Sequence, residues 1–261
     1  AGRPGPGCGV RSALVGRIGE DAFGSQARAA LQTFAVDLGA LRMDANAPTG
    51  LALIGVGPQG ENCITVVGGA NMGVDDSDVC RAEALFNDAS VLLLQLEVPV
   101  AAVLAAARRG RTSGSCVILD PAPIPSQPIP DDLWSLVDIV TPNESETAAL
   151  CGILPTNAQE AEKAARLLLE RGVQTAIVKM GARGVWWQTR NAGGFVPPFP
   201  VTAVDTVAAG DCFNAGLAVA MALKKPLDEA VRFAAATAAL SVTKSGAAEA
   251  APEWNAVIQL L

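Results

Sequence analysis

A short run near the C-terminus combines a turn of small residues, an acid and the start of a helix. The run is V-D-T-V-A-A-G-D-C-F-N-A-G, residues 204–216. Small residues let backbone N–H groups approach a ligand closely, and the first N–H groups of a helix have no acceptors inside it. Because the helix dipole also favours negative charge, we expect an anion cradle formed by Ala208, Ala209, Gly210 and Asp211.

Asp211 adds a second chemical function to this cradle. Its carboxylate can take a proton from an attacking hydroxyl, and phosphoryl transfer needs a base beside an anion site. The structural alternative is a Gly-Asp cap before a buried, alanine-rich helix. The chain contains no histidine and no tyrosine, so acid–base chemistry falls to carboxylates or lysine.

The run resembles the C-terminal signature of the ribokinase-like (PfkB) sugar kinases, which reads D-T-x-x-A/G-G-D-x-F-x-x-G. The resemblance implies that Asp211 is the catalytic base and that the amides of Ala208, Ala209 and Gly210 stabilise the transferred phosphoryl group. It extends from about Ala13 to Pro252, with the family's motifs in order. It implies a three-layer α/β/α fold with a mostly parallel central sheet and a small, partial β lid.

Periodicity along the chain agrees with an α/β class. Strand-like apolar runs alternate with helical periods, which predicts βα units and a parallel sheet. The apolar run Val91 to Leu96 predicts a central strand buried on both faces. Two apolar runs around a Pro/Gly turn at residues 57–62 predict a β-hairpin over about 50–68, which the resemblance identifies with the lid. We expect residues 1–261 to form one domain.

Composition excludes several classes of protein. The net charge is −7 and the pI is near 4.7, which argues against a nucleic-acid partner. No apolar run reaches the roughly 18 residues that span a bilayer, and the start has no signal-peptide pattern. The six cysteines are scattered without a C-x-x-C pair, which indicates reduced thiols. We therefore expect a cytoplasmic protein without a membrane partner.

Two segments match the family's nucleotide site. The family's N-x-x-E motif maps to Asn143 and Glu146, which implies that Asn143 lies near the ATP phosphates and that Glu146 holds the shell of Mg²⁺. An Asn helix cap with acids in the first turn is the structural alternative. A second segment, after a predicted strand, matches the family's ATP-binding turn; by itself it would suit a hairpin turn, and it comprises Lys179, Met180, Gly181, Ala182, Arg183 and Gly184.

A further segment resembles the loop that closes the ATP site and holds a monovalent cation, usually K⁺. The resemblance implies a carboxylate from Asp205 and carbonyl oxygens from Val207, Ser241, Lys244 and Gly246. The family often has Ser where this chain has Ala250, which indicates a weaker cation site. A surface loop after a helix is the alternative.

The sugar side of the site is the less complete half. Gln95-Leu96-Glu97 follows a predicted strand and is typical of ribokinases, in which the Glu contacts ribose; a solvated Glu at a helix start is the alternative. D-P-A-P at 120–123 also matches the ribokinase branch. The family's first strand, half of its lid and a G-G-K-G-A-N stretch have no counterpart before Ala13. We therefore expect an N-terminally shortened member.

The implied reaction is ATP plus D-ribose giving D-ribose 5-phosphate and ADP. One alternative is another kinase of the family, acting on deoxyribose, fructose or a nucleoside. A second is a nucleotide-binding pseudokinase that keeps the ATP half of the site, although the intact Asp211 argues against it. Because related ribokinases pair through their lids, the resemblance also implies a possible homodimer.

Overall fold

The computed structural model describes residues 9–56 and 62–261. The strands are β1 (Gly16–Gly19), β2 (Leu41–Asp44), β3 (Leu51–Val56), β4 (Asn62–Val67), β5 (Val91–Leu94), β6 (Cys116–Leu119), β7 (Ile139–Val140), β8 (Thr175–Lys179), β9 (Val185–Thr189) and β10 (Gly193–Val196). The α-helices are α1 (Ala22–Thr33), α2 (Asp76–Arg81), α3 (Glu83–Asp88), α4 (Val100–Ser113), α5 (Asp131–Leu136), α6 (Glu144–Cys151), α7 (Ala158–Glu170), α8 (Ala209–Ala222), α9 (Leu227–Ser241) and α10 (Trp254–Leu260).

A six-stranded sheet forms the centre of the molecule, in the order β10-β9-β8-β7-β6-β5. Strands β5 to β8 are parallel, whereas β9 and β10 pair antiparallel. Successive residues of a strand point to opposite faces. In β6 this places Val117 and Leu119 in one hydrophobic core and Ile118 in the other.

Helices cover both faces of this sheet. One core joins the strands to α4, α5 and α7, and it contains the fully buried Trp134 and Leu168. The other joins them to α8, α9 and α10 through residues such as Phe213, Leu217 and Val231. The expected three-layer α/β/α fold with a mostly parallel sheet is therefore confirmed.

Strand β5 does not have the position that its sequence predicts. Within the described residues it lies at one edge of the six-stranded sheet, and Leu93 is 43% exposed. The prediction of a central strand buried on both faces is therefore wrong for this structure. An apolar run indicates that a strand packs against helices, but the run itself carries no information about its neighbours in the sheet.

The predicted hairpin forms a separate two-stranded sheet of β3 and β4, which pair antiparallel. Of its predicted turn at residues 57–62, residues 57–61 lie outside the described residues and Asn62 begins β4. The hairpin is anchored at its base, where the Thr49 N–H and hydroxyl donate to the two carboxylate oxygens of Asp21 at 2.7 and 2.6 Å. Asp21 also caps α1 by accepting from the Gly24 N–H.

Two further observations concern the described part of the chain. No helix in it is both long and apolar enough to cross a bilayer. Its free thiols belong to Cys80, Cys116, Cys151 and Cys212.

Candidate active site

The carboxyl ends of the parallel strands gather most of the chemically useful side chains. Polar residues stand at or just beyond the ends of β5 to β8: Gln95, Glu97, Asp120, Thr141 and Lys179. The N-terminus of α8 faces them, because Gln95 Nε2 donates to Asp211 Oδ1 at 3.1 Å. A cleft at this edge is where open α/β sheets bind ligands.

The first turn of α8 presents unpaired donors. Within the described chain, the backbone N–H groups of Ala208, Gly210 and Asp211 have no hydrogen-bond acceptor, whereas the Ala209 N–H donates to the Thr206 carbonyl at 3.3 Å. The cradle expected from four amides therefore presents three free ones. Ala208, the N-cap, adopts a left-handed conformation with φ of 59°. Such strain in a non-glycine residue is characteristic of functional turns.

A chain of buried polar contacts lies beneath the cradle. Lys179 Nζ donates to Asp120 Oδ1 at 3.2 Å, and Asn214 Nδ2 donates to Asp120 Oδ2 at 2.6 Å. The Thr141 hydroxyl donates to Asn214 Oδ1 at 2.8 Å. Sequence reasoning assigned no role to Asp120, Thr141 or Asn214. Two signals were present: Asp120 ends a buried strand, and Asn214 follows Asp211 by three residues on one helix face.

Carboxylates make the cleft acidic. Loss of hydration raises the pKa of Glu97, and the charges of Asp211 and Asp120 raise it further, although the Glu97 side chain reaches solvent. Burial also raises the pKa of Asp120, against the opposing effect of Lys179. The charge of Asp211 therefore acts on Glu97, and neutral hydroxyl groups suit the surroundings of the Glu97 carboxylate better than an anion does.

Asn143 and Glu146 contact each other at the start of α6. The Asn143 side chain accepts from the Glu146 N–H, and the Glu146 carboxylate accepts from both the backbone N–H and the amide of Asn143 at 2.7 Å. These reciprocal hydrogen bonds form a capping box, so Asn143 does cap α6, as the structural alternative for this motif predicted. Burial raises the pKa of Glu146, and each carboxylate oxygen keeps acceptor capacity for a cation or its water.

The expected nucleotide turn follows β8 as a short 3₁₀ segment, Gly181–Arg183, closed by a hydrogen bond from the Met180 N–H to the Gly184 carbonyl. Arg183 pairs with Glu144 at 2.9 Å, and Ala182 is exposed. The side chain of Met180 is fully buried in the core, so only the backbone of this residue is left to contact a nucleotide.

The expected cation segments also meet. Asp205 accepts from the N–H groups of Val207 and Gly246, both at 3.0 Å, so its carboxylate joins the two loops. These hydrogen bonds lower the pKa of Asp205. The Lys244 N–H donates to the Ser241 carbonyl at 3.3 Å, which closes the turn after α9.

A model of the pfkB family of carbohydrate kinases matches residues 7–254. This chain belongs to that family. The prediction of a kinase that transfers a phosphoryl group to a sugar is thus confirmed. In this kinase, the signature of the family coincides with the α8 cradle and its carboxylate.

Relatives and solved structures agree with this membership. The kinase is 36% identical over 253 residues to a ribokinase of Haemophilus influenzae, covering 97% of this chain and 82% of the relative. It is 30% identical to a deoxyribokinase of Salmonella typhi, over 92% of this chain and 78% of the relative. The ribokinase of Thermotoga maritima superposes with a TM-score of 0.84 at 35% identity, covering 95% and 80% of the two chains. The ribokinase of Arabidopsis thaliana in complex with ribose and ATP gives 0.88 at 34%, covering 96% and 81%.

Proposed function

We propose that this kinase phosphorylates D-ribose with ATP to give D-ribose 5-phosphate and ADP. The observation that carries the proposal is the position of Asp211. It stands in the turn whose amides at Ala208, Gly210 and Asp211 have no acceptor among the described residues, and its carboxylate accepts from Gln95. The similarity to ribokinases at 36% identity favours ribose as the sugar.

In the proposed mechanism, Asp211 accepts the proton of the primary hydroxyl of the sugar. The hydroxyl oxygen bonds to the γ-phosphorus of ATP while the bond from that phosphorus to the ADP oxygen breaks. The amides of Ala208, Gly210 and Asp211 donate to the phosphoryl oxygens as charge develops, and Ala209 lines the turn. The Glu97 carboxylate accepts hydrogen bonds from sugar hydroxyls and fixes their orientation.

The nucleotide would lie along the turn after β8 and the start of α6. We propose that the backbone of Lys179 to Gly184 contacts ATP, with Gly181, Ala182 and Arg183 at the exposed side. Asn143 would approach the phosphates, and Glu146 would hold Mg²⁺ through its waters. The buried carboxylate fits a divalent ion, because such an ion offsets the cost of its charge. Bound Mg²⁺ would neutralise charge on the phosphates.

A monovalent cation, K⁺, would bind where Asp205 joins the two loops. The carboxylate supplies charge, and carbonyl oxygens of Val207, Ser241, Lys244 and Gly246 would complete an oxygen site. The ion would organise the cradle without contacting the substrate. Ala250, fully buried in this region, offers no hydroxyl ligand.

Three further properties belong to the proposal. The chain would act as one kinase domain over residues 1–261. The free thiols of its described cysteines fit action in the cytoplasm. Two copies would pair through the β3–β4 hairpin, which exposes the apolar side chains of Leu53 and Val67.

A related substrate is the second candidate. The similarity to a deoxyribokinase favours 2-deoxy-D-ribose, which keeps the primary hydroxyl that Asp211 would deprotonate. The two sugars differ at one hydroxyl, so the choice between them depends on whether the site bonds that hydroxyl.

ADP release from ATP and Mg²⁺ tests the proposal. It is measured with D-ribose, 2-deoxy-D-ribose, D-fructose or no sugar, in potassium buffer and in a potassium-free one. We expect turnover that requires ribose and increases with K⁺. Faster turnover with deoxyribose would establish the second candidate. ATP binding without any sugar-dependent ADP would contradict the kinase reaction and favour a pseudokinase.

A further inference from the structure

The side chain of Lys179 extends from the end of β8 to the base of the cradle. A Cβ built on Gly210 would lie 3.6 Å from Lys179 Nζ, so the ammonium sits directly beside the turn that carries the free amides. The side chain is only 11% exposed, and Nζ lies 6.0 Å from the centroid of the Phe213 ring. A buried positive charge is therefore located where the developing negative charge of phosphoryl transfer would need it.

The ammonium is only partly satisfied. Asp120 Oδ1 is its hydrogen-bond acceptor within the described residues, whereas an ammonium has three donors. Asp120 is itself buried and also accepts from Asn214, which Thr141 holds in turn. Lys179 is therefore held at one side by a fixed carboxylate, with donor capacity left for a ligand.

We propose that Lys179 is a catalytic residue that donates to the transferred phosphoryl group, and that Asp120 and Asn214 are positioning residues that hold its ammonium beside Gly210. This inference rests on the proposed kinase reaction and assigns the Lys179 side chain a role separate from the backbone contacts of its turn. Asp120 transfers no proton and contacts no substrate; it acts through Lys179.

The competing explanation is structural. The pair joins β6 to β8 across β7, and removing one member of a buried ion pair destabilises a protein because the other charge is left uncompensated. A purely structural pair would make activity follow stability. A catalytic lysine would separate activity from stability. The double variant Asp120→Asn/Lys179→Met has no uncompensated buried charge, but it still lacks the ammonium.

The test compares Lys179→Met, Asp120→Asn and the double variant with the parent at a temperature well below every melting point. We expect Lys179→Met to lower kcat on the order of 10²-fold, with KM for the sugar nearly unchanged. The double variant should be more stable than Lys179→Met yet no more active. Asp120→Asn alone should lower kcat less than Lys179→Met does. The control is Lys163→Met, the same substitution at an exposed lysine of α7, which should behave as the parent.

Binding measurements make the test independent of turnover. Calorimetry compares ADP alone with ADP plus aluminium fluoride, which imitates the transferred phosphoryl group, in the presence of Mg²⁺ and ribose. We expect Lys179→Met to bind ADP within about threefold of the parent while losing the gain in affinity that the fluoride complex provides. Equal gain in parent and variant would overturn the assignment. So would activity that returns in the double variant together with its stability.

These outcomes separate the two proposals. A parent that binds the fluoride complex through Lys179 but releases no ADP with ribose would contradict the ribokinase reaction and keep the role of Lys179. A parent that phosphorylates ribose, together with a Lys179→Met variant that retains the kcat of the parent, would support the ribokinase reaction and contradict the role of Lys179. A parent without any affinity for the fluoride complex and without turnover would overturn both.

Discussion

Asp211 and Glu97 lie in the same cleft and have different environments. Asp211 stands in the first turn of α8 and accepts a hydrogen bond from Gln95. Glu97 follows β5 and has a pKa raised by lost hydration and by the charges of Asp211 and Asp120. The first arrangement suits a base next to an anion, and the second suits an acceptor for neutral hydroxyls.

Substituting Asp211 tests the base directly. Asp211→Asn keeps the shape of the side chain and its contact with Gln95 while removing the proton acceptor. We expect kcat to fall by a factor on the order of 10² or more, with ATP affinity largely intact. Steady-state assays and calorimetry measure the two effects. A variant that turns over nearly as fast as the parent would remove Asp211 from the role of base.

Glu97 should give the sugar affinity a pH dependence. Because its pKa is raised, the carboxylate becomes protonated at a higher pH than an ordinary Glu, and KM for ribose should rise as pH falls through that pKa. Glu97→Gln should raise KM at pH 7 about tenfold and abolish this dependence. A variant that keeps the pH profile of the parent would assign the profile to another group.

The raised pKa of Glu97 also predicts that the Glu97→Gln variant is more stable than the parent. An acid with a raised pKa in the folded state disfavours folding once it is charged, so stability declines as pH rises from the unfolded pKa through the folded one. Glu97→Gln should therefore melt at a higher temperature than the parent near pH 7. The difference should vanish below the ordinary pKa of Glu. Thermal unfolding across pH measures it.

At the scale of elements, the turn after β8 depends on two glycines in different situations. Gly181 has φ of 52°, and an added Cβ would meet only the end of the Glu144 side chain at 3.5 Å. Gly184 has φ of 96° and ψ of −160°, a region that essentially only glycine adopts, and an added Cβ would lie 2.5 Å from the Val196 carbonyl oxygen. The turn therefore needs Gly184 far more than Gly181.

Substituting alanine for each glycine should show that the turn tolerates a side chain at Gly181 better than at Gly184. We expect Gly184→Ala to lower the free energy of unfolding by about 2 kcal/mol or more and to weaken ATP binding, because the backbone must shift. Gly181→Ala serves as the matched control and should cost about 1 kcal/mol, the ordinary penalty for a left-handed alanine. Urea unfolding and ATP calorimetry measure both. Equal losses of unfolding free energy in the two variants would contradict the close contact of Gly184 with the Val196 carbonyl oxygen.

At the scale of the whole molecule, the β3–β4 hairpin forms a sheet of its own, apart from the central sheet, and exposes apolar side chains. Leu53 is 63% exposed and Val67 is 49% exposed, and both lie on the face that the pairs Leu51–Val67 and Leu53–Thr65 define. Isolated two-stranded sheets are marginally stable, and exposed strand edges tend to pair with other chains. A second copy would cover this face in the proposed dimer.

Light scattering coupled to size exclusion tests this dimer. We expect the parent to be dimeric at micromolar concentration and Leu53→Asp to be monomeric, because a charge would be buried at the interface. Leu154→Asp is the matched control, since Leu154 is 58% exposed outside the hairpin, and it should remain dimeric. A monomeric parent, or dissociation of both variants, would contradict pairing through the hairpin.

The sequence by itself determined the family, the layered α/β class, the hairpin, the start of α8 and the glycine turn. These features depend on contiguous residues, because caps, turns and apolar periods are local properties of the chain. The resemblance was recognisable for the same reason, since the signature around Asp211 lies in one short segment. It also predicted Met180 as part of the nucleotide turn, and only the tertiary packing shows that its side chain lies in the core.

The tertiary structure decided what distant segments do together. Gln95 and Asp211 are 116 residues apart, Asp120 and Asn214 are 94 apart, and Lys179 and Asp120 are 59 apart. Strand order decided that β5 lies at an edge of the described sheet, although its sequence suits a central strand. Contacts of this kind arise when parallel strands end at one edge and a later helix packs across them. That arrangement joins Lys179, Asp120 and Asn214 beneath the cradle, and no local pattern contains it.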